Sequence, residues 1–176
     1  MRYPRGFTMI ELMITIGVIA LLFVLGVPTM RSVIENGRIR AAGESWKYGL
    51  ALARTEAVRR NAQVEFFTDA DGWQARIVSD GTVLHRGSGK EGAAGLNLTI
   101  VDSVGATADR VTFDSLGRLV DPNPDGSQPI AQVDLESTNA PVADARYHPL
   151  RLQVLTGGMT RLCDPAVPST DSRACL

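Results

Sequence analysis

The chain of 176 residues carries 18 Lys and Arg against 19 Asp and Glu, so its charge is nearly balanced. That length allows one globular domain plus a terminal segment, and the balance excludes a broad nucleic-acid-binding surface; any such site must be a local patch. Only Lys47 and Lys90 among the basic residues are lysine, and arginine favours bidentate contacts to carboxylate or phosphate.

The amino terminus opens with Arg2 and Arg5, followed by an apolar run from Phe7 to Met30 broken by one charge, Glu11. At about 1.5 Å per residue, a helix of that length spans a bilayer core of roughly 30 Å. A carboxylate is unfavourable by roughly 2.5–3.5 kcal/mol at the bilayer centre and less near an edge, so Glu11 is expected to have a partner. The two arginines keep the leader in the cytoplasm and export the chain beyond the span. Short basic leader, Gly6, Phe7, Glu11 and long apolar run, in that order, resemble the type III signal of type IV pilins and pseudopilins. The resemblance implies that a prepilin peptidase cuts after Gly6 and methylates the new terminus at Phe7. It also implies that Glu11 pairs with the amine of a neighbouring subunit, and it accounts for Pro28 as a helix-bending proline.

Beyond Arg31 the pattern becomes amphipathic. Ile39, Ala42, Trp46, Leu50, Ala53 and Ala57 recur at three- and four-residue steps, which predicts that the helix continues and buries one stripe on a sheet. Gly37 and Gly43 weaken that helix by about 1 kcal/mol each relative to alanine, and Asn61 fits a left-handed stop. From Gln63 the period changes to two. Alternating apolar residues at 64–66, 73–77, 83–85, 96–100, 111–113, 133–135, 150–154 and 159–162, separated by Asp/Gly turns, predict seven or eight short antiparallel strands. Gly87 to Gly95 and Asp121 to Pro129 read as loops. One long helix followed by strands makes the fold α+β.

Cys163 and Cys175 lie in the exported part, where a disulfide is permitted. Closing so short a loop would stabilise by about 3 kcal/mol in the chain-entropy model. Free thiols or a metal site are the alternatives, although neither His85 nor His148 shows ligand spacing with the cysteines. Asp121-Pro122-Asn123-Pro124-Asp125-Gly126 matches the opening of a calcium loop, with Asp121, Asn123 and Asp125 as ligands, but Gln132 stands where a bidentate glutamate belongs. Gly87-Ser88-Gly89-Lys90-Glu91 lacks the upstream glycine and the hydroxyl residue of a P-loop. No Gly-x-Ser-x-Gly elbow or triad pattern occurs. The chain is expected not to be an enzyme and to need no cofactor.

Three later segments narrow the resemblance. Leu52 to Asn61, the hairpin Phe113-Asp114-Ser115-Leu116-Gly117-Arg118, and Leu162-Cys163-Asp164-Pro165 with Cys175 are similar to the GspH/FimT group of minor pseudopilins. FimT-like proteins are implicated in DNA uptake during natural transformation through Gly-Arg-x-Arg before the Cys-Asp-Pro. The matching residues here are Gly158-Met159-Thr160-Arg161, with Arg146 and Arg151 as substitutes for the missing first arginine and Arg173 nearby. The resemblance implies a pilin-like fold: a leader at 1–6, a transmembrane and filament-core helix half at 7–30, and a periplasmic domain at 31–176. The implied function is a non-catalytic subunit of a type IV pilus or type II secretion pseudopilus, anchored in the bacterial inner membrane. Its implied partners are other pilins, the prepilin peptidase and double-stranded DNA. The alternative is a purely structural, assembly-priming subunit of type II secretion that binds no DNA.

Overall fold

The computed structural model describes residues 6–69, 72–88, 95–138 and 146–175, and for 24–29 and Ser88 the backbone alone. The leader residues 1–5, positions 70 and 71 of the first expected turn and most of the Gly-rich loop after Gly87 lie outside them.

One helix, α1 (Met9–Arg60), occupies 52 residues. Its end is fixed by Asn61, which takes φ 51°. Ala62 N–H donates to Ala57 O (3.2 Å) and Asn61 N–H to Val58 O (3.3 Å), so the last carbonyls are satisfied by a left-handed cap. Two compact units share the helix, Met1–Glu35 and Asn36–Leu176. In the first unit the side chains of residues 6–23 are all exposed. Among the described residues no helix is long and apolar enough to cross a membrane. The side chains of 24–29, which belong to the expected span and include Pro28, lie outside them.

In the second unit the six stripe positions of α1 are buried, Ala53 and Ala57 completely. Among the described residues nine strands follow: β1 (Val64–Asp69), β2 (Gly72–Ile77), β3 (Val83–Ser88), β4 (Leu96–Val101), β5 (Arg110–Phe113), β6 (Leu119–Val120), β7 (Gln132–Ser137), β8 (Leu150–Val154) and β9 (Thr160–Cys163). The count exceeds the expected seven or eight because β6 has two residues, too few to show a period. All pairings are antiparallel, in a five-stranded sheet ordered β3-β2-β1-β5-β6 and a four-stranded sheet ordered β4-β7-β8-β9. The alternating residues Val64, Phe66, Val111 and Phe113 of the first sheet join Val133, Leu135 and Leu152 of the second and the α1 stripe in one core. Each large side chain so buried contributes about 1.5–3 kcal/mol.

Two glycines let this core close. A Cβ at Gly49 of α1 would lie 2.7 Å from Trp73 Cε2 and 2.8 Å from Phe66 Cε2, and one at Gly87 of β3 would lie 2.1 Å from Trp73 Cε2. The Trp73 indole therefore lies between helix and strand, stacked on Phe66 with centroids 5.5 Å apart. At the end of α1, Glu56 is buried despite its charge. Its Oε2 accepts from Arg59 Nη2 and Arg60 Nε, both at 2.7 Å, and His85 Nε2 stands 3.5 Å from Oε1. The hydrogen bond from Arg59, then that from Arg60, holds this carboxyl down at about 2.

Candidate functional site

The first candidate surface is the start of α1. Thr8 precedes the helix and Glu11 sits in its first turn. Glu11 N–H donates to Thr8 Oγ1 (3.3 Å), and Thr8 N–H donates at 3.5 Å to Glu11 Oε2. This reciprocal pair is a capping box, and it also places the acid where the positive end of the helix dipole favours it. Thr8-x-x-Glu11 is the sequence signal for it, masked by the apolar run around it. Gly6 and Phe7 are exposed just ahead of the helix, Phe7 at 84%. A carboxylate on a helix start otherwise surrounded by exposed apolar side chains can serve as an acceptor for one cation from outside.

Of the four candidate arginines, Arg151 and Arg161 lie on one face of the neighbouring strands β8 and β9, and the segment carrying Arg173 is bonded beside β9. Arg151 of β8 stands opposite Asp134 of β7 in register. Its Nε donates at 2.6 Å and its Nη2 at 3.1 Å to the two oxygens of that carboxylate. Arg173 makes a similar fork to Asp171, at 3.1 and 2.8 Å. That fork, through the side-chain hydrogen bond first, pulls the Asp171 carboxyl down to about 2. Arg146 enters the packing through its carbonyl, which accepts from Asn36 Nδ2 at 2.8 Å. Arg161 of β9 donates from Nη2 to Ala174 O (2.9 Å). Met159 is 59% exposed at the head of the same strand.

The calcium motif is used for structure. Asn123 is buried; its Oδ1 accepts from Thr112 N–H (3.0 Å) and its Nδ2 donates to Ser127 Oγ (3.1 Å). Asp125 Oδ1 accepts from Ser127 N–H and Oγ, and its Oδ2 faces Arg110 Nη1 at 2.8 Å. The Ser127 hydroxyl is the main reason that the Asp125 carboxyl is lowered. Within the expected Asp121, Asn123 and Asp125 set, the Arg110 guanidinium thus stands at Asp125 where a cation is expected. Among the described residues no group of three His, Cys, Asp or Glu could hold a metal ion.

Cys163 and Cys175 form a disulfide. It fastens the chain end beside β9, where Asp164 N–H donates to Arg173 O (2.8 Å) and Asp164 Oδ1 accepts from Ala166 N–H (2.9 Å). Between this end and the start of α1 in the second unit lies a groove of about 580 Å³. Leu150 and Leu162 supply its apolar lining, and Arg40, Glu44, His148 and Arg173 its polar one. Asn36 holds the wall in place, its Oδ1 accepting from His148 N–H at 2.9 Å and its Nδ2 reaching Arg146. No sequence signal announces the groove, because it joins residues more than a hundred positions apart.

At the other end of α1 two turns meet. Arg54 Nε donates to Gly117 O (2.8 Å). Gly117 and Gly158 both take φ +73°, and a Cβ at Gly158 would lie 2.5 Å from Gly117 O. Only glycine fits there, both for its positive φ and for the close approach.

Comparison with known proteins places this geometry. Residues 42–158 match the family described as type II transport protein GspH, and residues 1–27 match the prokaryotic N-terminal methylation motif. No curated protein sequence matches the chain. Among solved structures it is similar to the type IV minor pilin FimU of Pseudomonas aeruginosa, with TM-score 0.53 and 19% identity, covering 81% of this chain and 98% of that one. It is also similar to the minor pseudopilin EpsH from the type 2 secretion system of Vibrio cholerae, with TM-score 0.51 and 16% identity, covering 74% and 99%. At such identities these two likenesses concern the fold.

Proposed function

This chain belongs to the GspH family of minor pseudopilins, and from that premise we propose that it is a non-catalytic subunit delivered to a filament from the inner membrane. In this reading the precursor is cut between Gly6 and Phe7 and methylated at Phe7. The helix half at 7–30 holds it in the bilayer, with 31–176 in the periplasm, until assembly gives Glu11 its partner amine. The observation that carries the reading is the state of α1. Residues 7–30 expose Phe7, Met9, Ile10, Leu12, Met13 and Ile14 together, and Glu11 is their one charge. So continuous an apolar surface needs lipid or protein around it. Replacing Glu11 with alanine is expected to leave the protein in membranes at normal level and remove it from sheared filaments. Unchanged recovery of Glu11→Ala in the filament fraction would refute the role given to the acid.

A second reading is uptake-related binding of double-stranded DNA. Arg161 favours it, since among the described residues it has no carboxylate partner. Against it, Arg151 and Arg173 already hold carboxylates in two-point contacts, which reduces the charge left for phosphates. The assembly role therefore ranks first. In gel-shift titration of a DNA duplex at low salt no shift is expected, and a salt-sensitive shift lost in Arg161→Ala would establish the DNA role instead.

A further inference from the structure

The groove of the second unit owes its shape to two glycines of α1. A Cβ at Gly43 would lie 3.1 Å from Leu162 Cδ2 and 3.7 Å from Leu150 Cδ1, so these two leucines rest on the helix and form an apolar floor. Gly37 has nothing within 4 Å of its Cβ position and leaves the groove open. Among the described lining residues none is aromatic.

The lining carries charges of both signs, and one of each sign lacks a short partner. Asp164 is buried, and its Oδ1 accepts from Ala166 N–H at 2.9 Å. Its Oδ2 faces His148 Nδ1 at 3.9 Å, beyond hydrogen-bond reach. A buried carboxylate oxygen so placed favours an N–H donor from outside. Arg40 is exposed, and among the described residues no carboxylate pairs with it. Glu44, four positions along the same helix, faces Lys47 at 4.0 Å instead. Arg173 is already held by Asp171 in a two-point contact.

We propose that the groove is a headgroup site for phosphatidylethanolamine, with the ammonium donating to Asp164 Oδ2, the phosphate facing Arg40 and the glycerol end of the lipid on Leu150 and Leu162. The two signs select a zwitterion: a purely anionic headgroup leaves Asp164 without a donor, and a simple cation leaves Arg40 without an anion. Ethanolamine is preferred to choline, because a quaternary ammonium has no N–H to donate and is held by aromatic cages, which this lining lacks. The apolar floor and the tether select a lipid over a free zwitterion. Asn36 follows Met30, the end of the expected span, by six positions, and six residues reach at most about 22 Å. Chain length alone therefore keeps this part of the domain near a bilayer surface, where a weak headgroup contact suffices. This deepens the membrane-held state proposed above and rests on it: entry into a filament then requires release of the lipid.

The test uses residues 36–176, a compact unit that contains the whole hydrophobic core and every described groove residue and so folds without the preceding segment. Amide chemical shifts are followed by NMR while dihexanoyl phosphatidylethanolamine is added below its micellar concentration. Saturable shifts are expected at Gly37, Leu162 and Asp164, with a Kd of about 1 mM. Dihexanoyl phosphatidylcholine, dihexanoyl phosphatidylglycerol and phosphoethanolamine without chains should each bind about tenfold more weakly. Arg40→Gln should weaken binding of the ethanolamine lipid about tenfold. Asp164→Asn keeps an oxygen for Ala166 N–H and removes the charge. It should bring the ethanolamine and choline lipids to equal affinity, a change that mere loosening of the fold would not produce. Absence of saturable shifts in the groove, or equal binding of the two lipids by the unaltered domain, would overturn the proposal. So would phosphoethanolamine binding as tightly as the lipid, which would assign the groove to a soluble zwitterion, or the same shifts on concentrating the protein alone, which would assign it to a second copy. None of these results touches the Glu11 experiment, so the filament role can survive the loss of this site.

Discussion

Replacing Gly87 with alanine is expected to destabilise the domain by about 3 kcal/mol, the upper part of the range for overpacking a core. The added methyl would arrive 2.1 Å from Trp73 Cε2 and 2.4 Å from Nε1. Trp73 stands opposite Gly87 in the β2–β3 register, so the clash is with a cross-strand neighbour. The indole has little room to retreat. Phe66 stacks on it at 26°, and the helix backbone at Gly49 closes the other side. Either β3 lifts away or the ring leaves its place in the core. Urea unfolding should show a lower midpoint at unchanged slope. The control is Gly37→Ala, which meets open space on the same helix as Gly49 and should gain about 1 kcal/mol from helix propensity. If Gly87→Ala unfolds at the unaltered midpoint, Trp73 is not confined as described.

Breaking the disulfide has the second large effect. Cys163 and Cys175 are separated by 12 positions, and a loop of that size stabilises by about 3 kcal/mol through the unfolded state. Changing both residues to serine should lower the thermal midpoint of the domain accordingly. The loss is also local. Only a few bonds otherwise hold the chain end, chiefly Asp164 N–H to Arg173 O and Arg161 Nη2 to Ala174 O. Hydrogen exchange at Ala174 and Asp164 should therefore accelerate far more than at Val133 or Leu152 in the core. Equal acceleration at all four would mean that the bridge stabilises the domain without fixing its end.

The helix is the most legible element. Its stripe from Ile39 to Ala57 emerges from spacing alone, because a 3.6-residue period is a local property. The left-handed stop at Asn61 is local too. The features hidden from the sequence depend on neighbours far along the chain. The role of Gly49 depends on Trp73, which packs against it from β2. Glu56 has Arg59 and Arg60 within one helical turn, but its contact with His85 of β3 is long-range. The expected DNA arginines illustrate the same limit: Arg151 looks available because its pairing with Asp134 depends on β7 and β8 being neighbours. The division of nine strands between two sheets is non-local as well, since β4 leaves the first sheet although it comes after β3. The Asp121–Gly126 loop misleads for a different reason. Turns and calcium loops share a composition, and only the position of Arg110 distinguishes them.

Helix α1 is continuous from Met9 to Arg60, which gives it a mechanical meaning. A pull applied at residue 36 along the helix axis of the second unit enters the domain along that axis. It then acts as shear on the stripe from Ile39 to Ala57, whose six buried side chains resist together. A strand peeled from a sheet edge would yield one bond at a time; a stripe dragged lengthwise must slip at all its contacts at once. Resistance to such pulling is governed by the rate of unfolding rather than by equilibrium stability. The left-handed turn at Asn61 adds to it, because the chain reverses there into β1, the middle strand of its sheet. Within this unit the helix is thus fixed along its stripe and again at its far end, where the chain enters the middle of a sheet.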